Sequence, residues 1–353
     1  MTLLRFIAAF AFLCTAAWAQ QQDLVYHLPT DNTTLYTTGG DDYYVYVDRV
    51  FEGEKSRPWQ AGTYGMVRNP FRPSPGAAVM YSRFHEGIDV KPIYRDARGE
   101  PQDDVRPIAP GKVVHASANP RHSNYGRYVV VAHQVPEGTI YSLYAHLASV
   151  ECRVGQKLST SDVIGRLGYS GVGLNKVRAH LHLEIGLMIN SRFADFYTGE
   201  NKHGCFNGMN LAGFNPTHVL MACRNGAPFS VSAYFATLKE HYRVAVPCVP
   251  MDIIRRHPFL YKGSRTDSRR PRSLEIAFTA EGVPIGVYPA DRTVEQPYII
   301  SCRPMPTVQQ NCTVNRVKHN SANAALTRSG LWYITQFLWM EGIYPPQTST
   351  EAL

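Results

Sequence analysis

The sequence predicts a mainly β protein, and three observations carry that expectation. Between Tyr64 and about Cys223, short apolar runs are broken by Gly, Pro and Asn: Gly111 to Ala116, Arg127 to Ala132, Thr139 to His146, Val163 to Leu167 and Ala179 to Met188. Within the last run, Leu181, Leu183 and Ile185 alternate with His180, His182 and Glu184, the period of two that marks a half-buried strand. Long amphipathic helices are absent from this stretch. One short helix is expected from Asn215, with Pro216 at its first position and Val219 and Leu220 on its inner face.

Taken from the start, Met1 to Ala19 reads as a secretory signal: Arg5, an apolar run from Phe6 to Ala16, then the small residues of Ala17-Trp18-Ala19. Cys14 follows Leu13, which disfavours a lipid-anchor cleavage. No later stretch is apolar for the ~20 residues a bilayer span needs. The expectation is an exported protein, periplasmic or extracellular, without a membrane span. Its 353 residues, 44% hydrophobic and 18% charged, suffice for one domain of ordinary size and one or two smaller modules. Cys152, Cys205, Cys223, Cys248, Cys302 and Cys312 remain after the signal, an even set that reads as disulfides in an exported chain. The short-range pairings expected are Cys205 with Cys223 and Cys302 with Cys312. No Cys-x-x-Cys is present, which argues against a cysteine zinc site. The net charge of +8 favours anionic surfaces, and no nucleic-acid-binding motif accompanies it.

Residues 20–62 read as a polar, Tyr-rich N-terminal arm, with a turn at Gly39-Gly40 and one strand over Tyr44 to Val47. Beyond Gly226 the pattern changes, and 226–353 reads as a smaller β-rich accessory region. There Ser273 to Phe278 and Val283 to Tyr288 flank a Thr-Ala-Glu-Gly turn as a hairpin. Leu331 to Met340 is apolar nearly throughout, with no period that separates strand from helix, and its Trp, Tyr, Ile and Thr favour a strand. Between Arg255 and Arg272 seven cations face the single acid Asp267. That run reads first as a solvated basic loop and second as a contact for anionic cell-envelope polymers.

The chemistry-bearing residues come in three groups. On a strand, His180 and His182 stand on one face about 6.6 Å apart. One ring can then bind a metal while its neighbour works on what the metal binds. In His85-Glu86-Gly87-Ile88-Asp89 the i, i+4 pair suits a helix face, yet Gly87 and the β-branched Ile88 argue against one. Fully extended, His85 and Asp89 lie ~13 Å apart, so a bend at Gly87 is required to turn both inward. Two His and one Asp form a catalytic zinc set with a fourth position open to water. The helical His-Glu-x-x-His template fails, because its fifth position holds Asp89. Glu86 as a general base is the lesser alternative. The third group is Tyr144-Ala145-His146-Leu147, whose histidine gains meaning beside a metal site.

In this order, His85/Asp89, Tyr144/His146/Leu147 and His180/Leu181/His182 resemble the lysostaphin/LytM-type zinc metallopeptidases, which cleave peptide cross-links of bacterial peptidoglycan. Flanking pieces are also similar: Tyr64-Gly65-Met66-Val67-Arg68, Asn124 to Val130, Val154 to Leu158, and Val163-Ile164-Gly165. The resemblance covers about Gly62 to Ile189 and assigns a zinc peptidase domain to 63–223. It implies an antiparallel β-sheet core with a loop-walled groove and one Zn2+, held by His85, Asp89 and His182. His146 and His180 become the catalytic pair, with peptidoglycan peptides as substrate. Glu184, on the same strand face, is either an orienting partner for an imidazole or a surface carboxylate. The charged insert from Val90 to Val105 and the basic segment Leu174 to Arg178 depart from the family, and both are expected to line the groove. Two rivals remain: a metal-free relative that binds peptidoglycan or activates an amidase, and a zinc hydrolase acting on proteins outside the wall.

Overall fold

The computed structural model describes residues 21–199, 203–264, 270–304, 313–320 and 323–339. The signal sequence, the 265–269 part of the basic run, Cys312 and Met340 lie outside the described residues. The N-terminal part contributes a four-stranded antiparallel sheet: β1 (Tyr46–Phe51), β2 (Glu54–Ala61), β3 (Gly65–Phe71) and β4 (Met80–His85), in that order. The strand expected over Tyr44 to Val47 instead starts at Tyr46. Tyr44 forms an isolated bridge to Val90, and its ring is buried in the main core beside Tyr43.

The central sheet carries β5 (Ile88–Val90), β7 (Gly111–Ser117), β8 (Arg127–Val135), β9 (Gly138–Leu147), β11 (Lys157–Leu158), β13 (Leu181–Met188) and β14 (Leu211–Phe214), with β6 (Asp104–Val105), β10 (Ser149–Val150) and β12 (Gly165–Arg166) in a small sheet beside it. Its order is β11-β7-β8-β9-β13-β14, every neighbour antiparallel. The β5 strand pairs with the first half of β13 along the edge that β14 pairs with further on. Alternation along β8 explains the two cores. Val129 and Val131 enter the main cluster, while Tyr128, Val130 and Ala132 enter a second cluster on the other face. The β13 strand is not half-buried as its alternation predicts, since every residue is buried. Both faces are covered, the polar one because His182 and Glu184 face protein partners rather than water.

The expected helix is present at Pro216–Ala222: Asn215 Oδ1 accepts from the Thr217 amide at 3.0 Å, and Val219 and Leu220 are buried. The later hairpin is also present, as β16 (Ser273–Phe278) and β17 (Pro284–Ala290), joined by β15 (Tyr242–Pro247) and β18 (Tyr298–Cys302) in a four-stranded antiparallel sheet. Its Val244, Ile276 and Phe278 share the main core with Val129 and Leu183. The strand expected over Leu331 to Met340 is a helix, Arg328–Leu338. Thr327 Oγ1 caps it by accepting from the Gly330 amide at 2.9 Å. Its nearly continuous apolar run arises because it is packed on two sides, Tyr333 and Phe337 in the main core and Trp332 against Phe193 and Phe196.

The expected Cys205–Cys223 bridge is absent; both are free thiols. Cys223 is buried in the main core, whereas Cys205 Sγ lies 3.1 Å from Ser191 O in the cover of the opposite sheet face. The sheet separates them. In the basic run, Arg255 and Arg256 both pair with Asp252, at 2.5 and 3.0 Å, so that end is tied down locally.

Candidate metal centre

Strand register assembles the site. On β13, His182 stands opposite Asp89 of β5 on one side and Ala145 of β9 on the other. The next residue of β9, His146, therefore reaches the same patch. His85 ends β4, and a bend through Glu86-Gly87 returns the chain into β5, as the two-inward-facing-ligand expectation requires. A Cβ on Gly87 would press on Leu183 O and lie 3.0 Å from His182 Cε1. Gly87→Ala should therefore lift β5 from β13. A loss of about 1–3 kcal/mol in stability and at least about tenfold in metal affinity is expected, read by thermal unfolding and metal titration. Unchanged values in both would contradict this account of the bend.

Three ligand atoms meet at the centre. His85 Nε2 lies 3.1 Å from Asp89 Oδ1 and 3.1 Å from His182 Nδ1, and the latter is 3.0 Å from Asp89 Oδ1. These three buried residues form a group whose donor atoms suit one cation. The outer nitrogens set the tautomers. His85 Nδ1 donates to Thr63 O at 2.8 Å, and His182 Nε2 donates to Glu184 Oε1 at 3.0 Å, so in its neutral form each ring turns the lone pair of its inner nitrogen toward the centre. Two lone pairs and a carboxylate facing one another at 3 Å require something positive between them. The donor set, two nitrogens and one oxygen, fits zinc.

Protonation agrees with that need. Burial alone would raise the Asp89 pKa, but His180, His85 and Arg68 hold it well below the usual carboxylate range. Burial lowers His85. Burial also opposes charge on His182, yet its hydrogen bonds to Asp89 and Glu184 outweigh this and raise it to about 10. Without a cation, His182 thus keeps a proton between two carboxylates, which a metal must displace.

Beside the three stand His146 and His180. His146 Nδ1 donates to Ser170 O at 2.9 Å and His180 Nδ1 to Arg178 O at 2.7 Å. Both Nε2 atoms are thereby left as acceptors. The two ring centroids lie 4.8 Å apart, and His180 Nε2 is 3.4 Å from Asp89 Oδ1. Burial pushes His180 below its ordinary pKa, and burial with the neighbouring His180 and His182 pushes His146 well below. His146 adopts φ +64°, an uncommon conformation for a residue other than glycine. Its amide is held by Tyr125 O at 2.9 Å. All five predicted site residues are brought together.

Three supporting residues were not assigned roles from sequence. Arg68 of β3 bonds Asp89 Oδ2, leaving Oδ1 for the centre. Tyr125 donates to Glu184 Oε1 at 2.7 Å, so Glu184, 1% exposed, is the orienting partner of His182 and not a surface carboxylate. Ser170 supplies the carbonyl for His146. Arg68 and Tyr125 fall in flanks of the resemblance, the one signal they carry. Glu86 is exposed at the groove rim. The groove, about 470 Å³, is lined by Leu174 and Arg178 as expected, but not by the insert after Val90. The insert packs behind that loop: Glu100 pairs with Lys176 at 2.9 Å, and Arg95 Nη1 donates to Lys176 O at 3.1 Å. Its buried Asp103 folds it inward by accepting the amides of Ile93 and Tyr94.

An antiparallel β core thus carries two imidazoles and a carboxylate at the floor of an open groove, flanked by two further imidazoles. Residues 83–194 match the model of Peptidase family M23, and the match contains His85, Asp89, His146, His180 and His182. The resemblance to lysostaphin/LytM-type peptidases therefore holds over the segment that bears the site. Among solved structures, the chain is similar to the lysostaphin catalytic domain from Staphylococcus simulans, at 17% identity over 50% of this chain and 92% of that one, TM-score 0.26. It is also similar to the EnpA catalytic domain from Enterococcus faecalis (18%, 48% and 88%, TM-score 0.26). A third similarity is to a LytM endopeptidase described from Ruminococcus gnavus (24%, 42% of this chain and half of that one, TM-score 0.27). No curated protein matches the chain. Among the described residues no helix is long and apolar enough to cross a membrane.

Proposed function

We propose that this protein is an exported zinc metalloendopeptidase that hydrolyses peptide bonds in peptidoglycan cross-links. The observation carrying this reading is the convergence of His85 Nε2, Asp89 Oδ1 and His182 Nδ1 within 3.0–3.1 Å of one another beside His146 and His180. Those three residues would hold one Zn2+. Zinc at such a site lowers the pKa of its water to about 7 and polarises the carbonyl under attack.

The chain's own groups then manage the protons. His146 and His180 each keep Nδ1–H on a main-chain carbonyl and offer Nε2 to the groove. Their lowered pKa values leave both neutral at pH 7, ready to accept a proton from the attacking water. One ring takes that proton onto Nε2 and delivers the same proton to the leaving nitrogen, while its neutral partner offers Nε2 as a hydrogen-bond acceptor that orients the attacking water. Asp89, tied on its outer oxygen by Arg68, and His182, tied by Glu184, stay fixed through the cycle. Residues 63–223 are the catalytic unit in this reading, and 226–353 an accessory region that positions substrate. Export rests on the 1–19 signal, and peptidoglycan on the family match and the motif order. The complete donor set argues against a metal-free binding relative.

Purified protein is expected to carry about one zinc per chain and to release new amines from isolated sacculi. A chelator should stop that release and added zinc restore it. A folded sample that binds no transition metal, or that loads zinc and leaves sacculi intact while cleaving Gly-rich soluble protein, would refute the assignment.

A further inference from the structure

His146 sits where the β8–β9 ladder goes out of step. Arg127 pairs with Leu147 and Val129 with Tyr144, so the chain advances two residues on β8 and three on β9. The surplus residue lies in the Ala145-His146 stretch, where His146 takes φ +64°. This is a β-bulge, which bends a strand, re-aims a side chain and disrupts the ladder around it.

Two loops take up the backbone groups that the bulge leaves over. The His146 amide donates to Tyr125 O at 2.9 Å. Between Arg127 and Leu147 stands the Ser170 hydroxyl, which accepts from the Arg127 amide at 2.9 Å and donates to Leu147 O at 2.7 Å. One hydroxyl thus bridges the gap in the ladder, using a lone pair and its single proton together. The same residue's carbonyl accepts His146 Nδ1 at 2.9 Å, and its amide donates to His146 O at 3.4 Å. The approach is close enough to require glycine on both sides. A Cβ on Gly126 (φ +61°) would lie 2.5 Å from Ser170 Oγ, and one on Gly171 (φ +102°) would lie 2.2 Å from Asn124 O. Ser170 itself is half-buried, belongs to neither the metal group nor the groove lining, and so meets the chemistry through His146.

We infer that Ser170 is a positioning residue: its hydroxyl splices β8 to β9 across the bulge and thereby fixes where His146 Nε2 points. This rests on the peptidase reading above. Alanine would leave the main-chain carbonyl available to His146 Nδ1. The Arg127 amide and Leu147 carbonyl would lose their bridge, and would take water or close on each other. Either change shifts the bulge, and a displacement of about 1 Å in a reacting group is worth about a hundredfold in rate.

The test is a double-mutant cycle on the full-length zinc-loaded protein, read as release of new amines from a synthetic cross-linked stem peptide and from sacculi. Ser170→Ala should lower kcat on the peptide about ten- to a hundredfold, with KM within about twofold and zinc content at the wild-type level. In a His146→Ala background the same substitution should change the residual rate by less than about twofold, because no ring is left to aim. Ser170→Thr keeps the hydroxyl and should recover most of the rate. If the alanine variant folds poorly by circular dichroism, Ser170→Cys, whose thiol is a weak donor and acceptor, takes its place in the cycle. Equal kcat for Ser170→Ala and the wild type, with sacculi still digested, would overturn the inference and leave the peptidase reading standing. So would a loss of the same factor in both backgrounds, the mark of a merely structural serine. If zinc-loaded wild type cleaves neither peptide nor sacculi, the peptidase reading fails and the inference falls with it.

Discussion

Asp89→Ala is expected to remove metal and hydrolysis together, the largest single effect in the molecule. Asp89 gives one oxygen to the centre and the other to Arg68. Without it, His85 and His182 remain as two neutral donors, and the neighbouring guanidinium repels a cation it formerly helped to seat. Metal content should drop from about one per chain to below about a tenth, and hydrolysis by at least about a thousandfold. The fold should also suffer. Removing one partner of a buried pair leaves the other uncompensated, at about 3–5 kcal/mol in a closed site. Arg68 keeps 15% side-chain exposure, so about half of that is expected. Asp89→Asn separates the two consequences: an amide oxygen still accepts from Arg68, so stability should be largely restored while metal is not. Metal analysis and thermal unfolding on both variants decide it. Metal retained by the alanine variant would exclude Asp89 as a ligand.

The contrast between what was legible in sequence and what was not follows from range. The residues that chemistry requires announced themselves locally, because histidine and aspartate at fixed spacings are rare and strand alternation places them on a face. The bend at Gly87 was legible for the same reason: an extended chain cannot bring His85 and Asp89 together. What holds those residues was mostly illegible. Arg68 lies 21 positions before Asp89 in sequence, and Tyr125 reaches Glu184 across 59; neither contact leaves a periodic trace. Register is the intervening fact, since His182 opposite Asp89 and Ala145 is a property of three paired strands and not of any one.

The errors share a physical cause. A run that is buried on nearly all sides, as Tyr333 to Leu338 is, loses the period that separates helix from strand, and side-chain type was a poor substitute for the Thr327 cap. Parity of cysteines suggested a bridge, but a sheet stands between Cys205 and Cys223. Both faces of β13 are covered by segments distant in sequence, the loop around Tyr125 among them, so a strand that alternates like a surface one is buried throughout.

His146→Ala and His180→Ala should give the opposite pattern to Asp89→Ala: zinc retained, hydrolysis lowered by a factor on the order of a hundred or more. Neither Nε2 belongs to the three-atom group at the centre, and each ring hangs from a main-chain carbonyl that the substitution leaves in place. The two variants should differ in stability. His146 holds φ +64°, a strain that alanine tolerates no better, so His146→Ala loses the Ser170 hydrogen bond, about 1 kcal/mol, with no relief. His146→Gly removes the strain as well and should recover stability without recovering activity. That dissociation is the diagnostic result, because a merely structural His146 would regain activity along with stability in the glycine variant. If His146→Ala or His180→Ala instead lost its zinc, the division between metal-holding and proton-moving imidazoles would have to be redrawn around the ring that was removed.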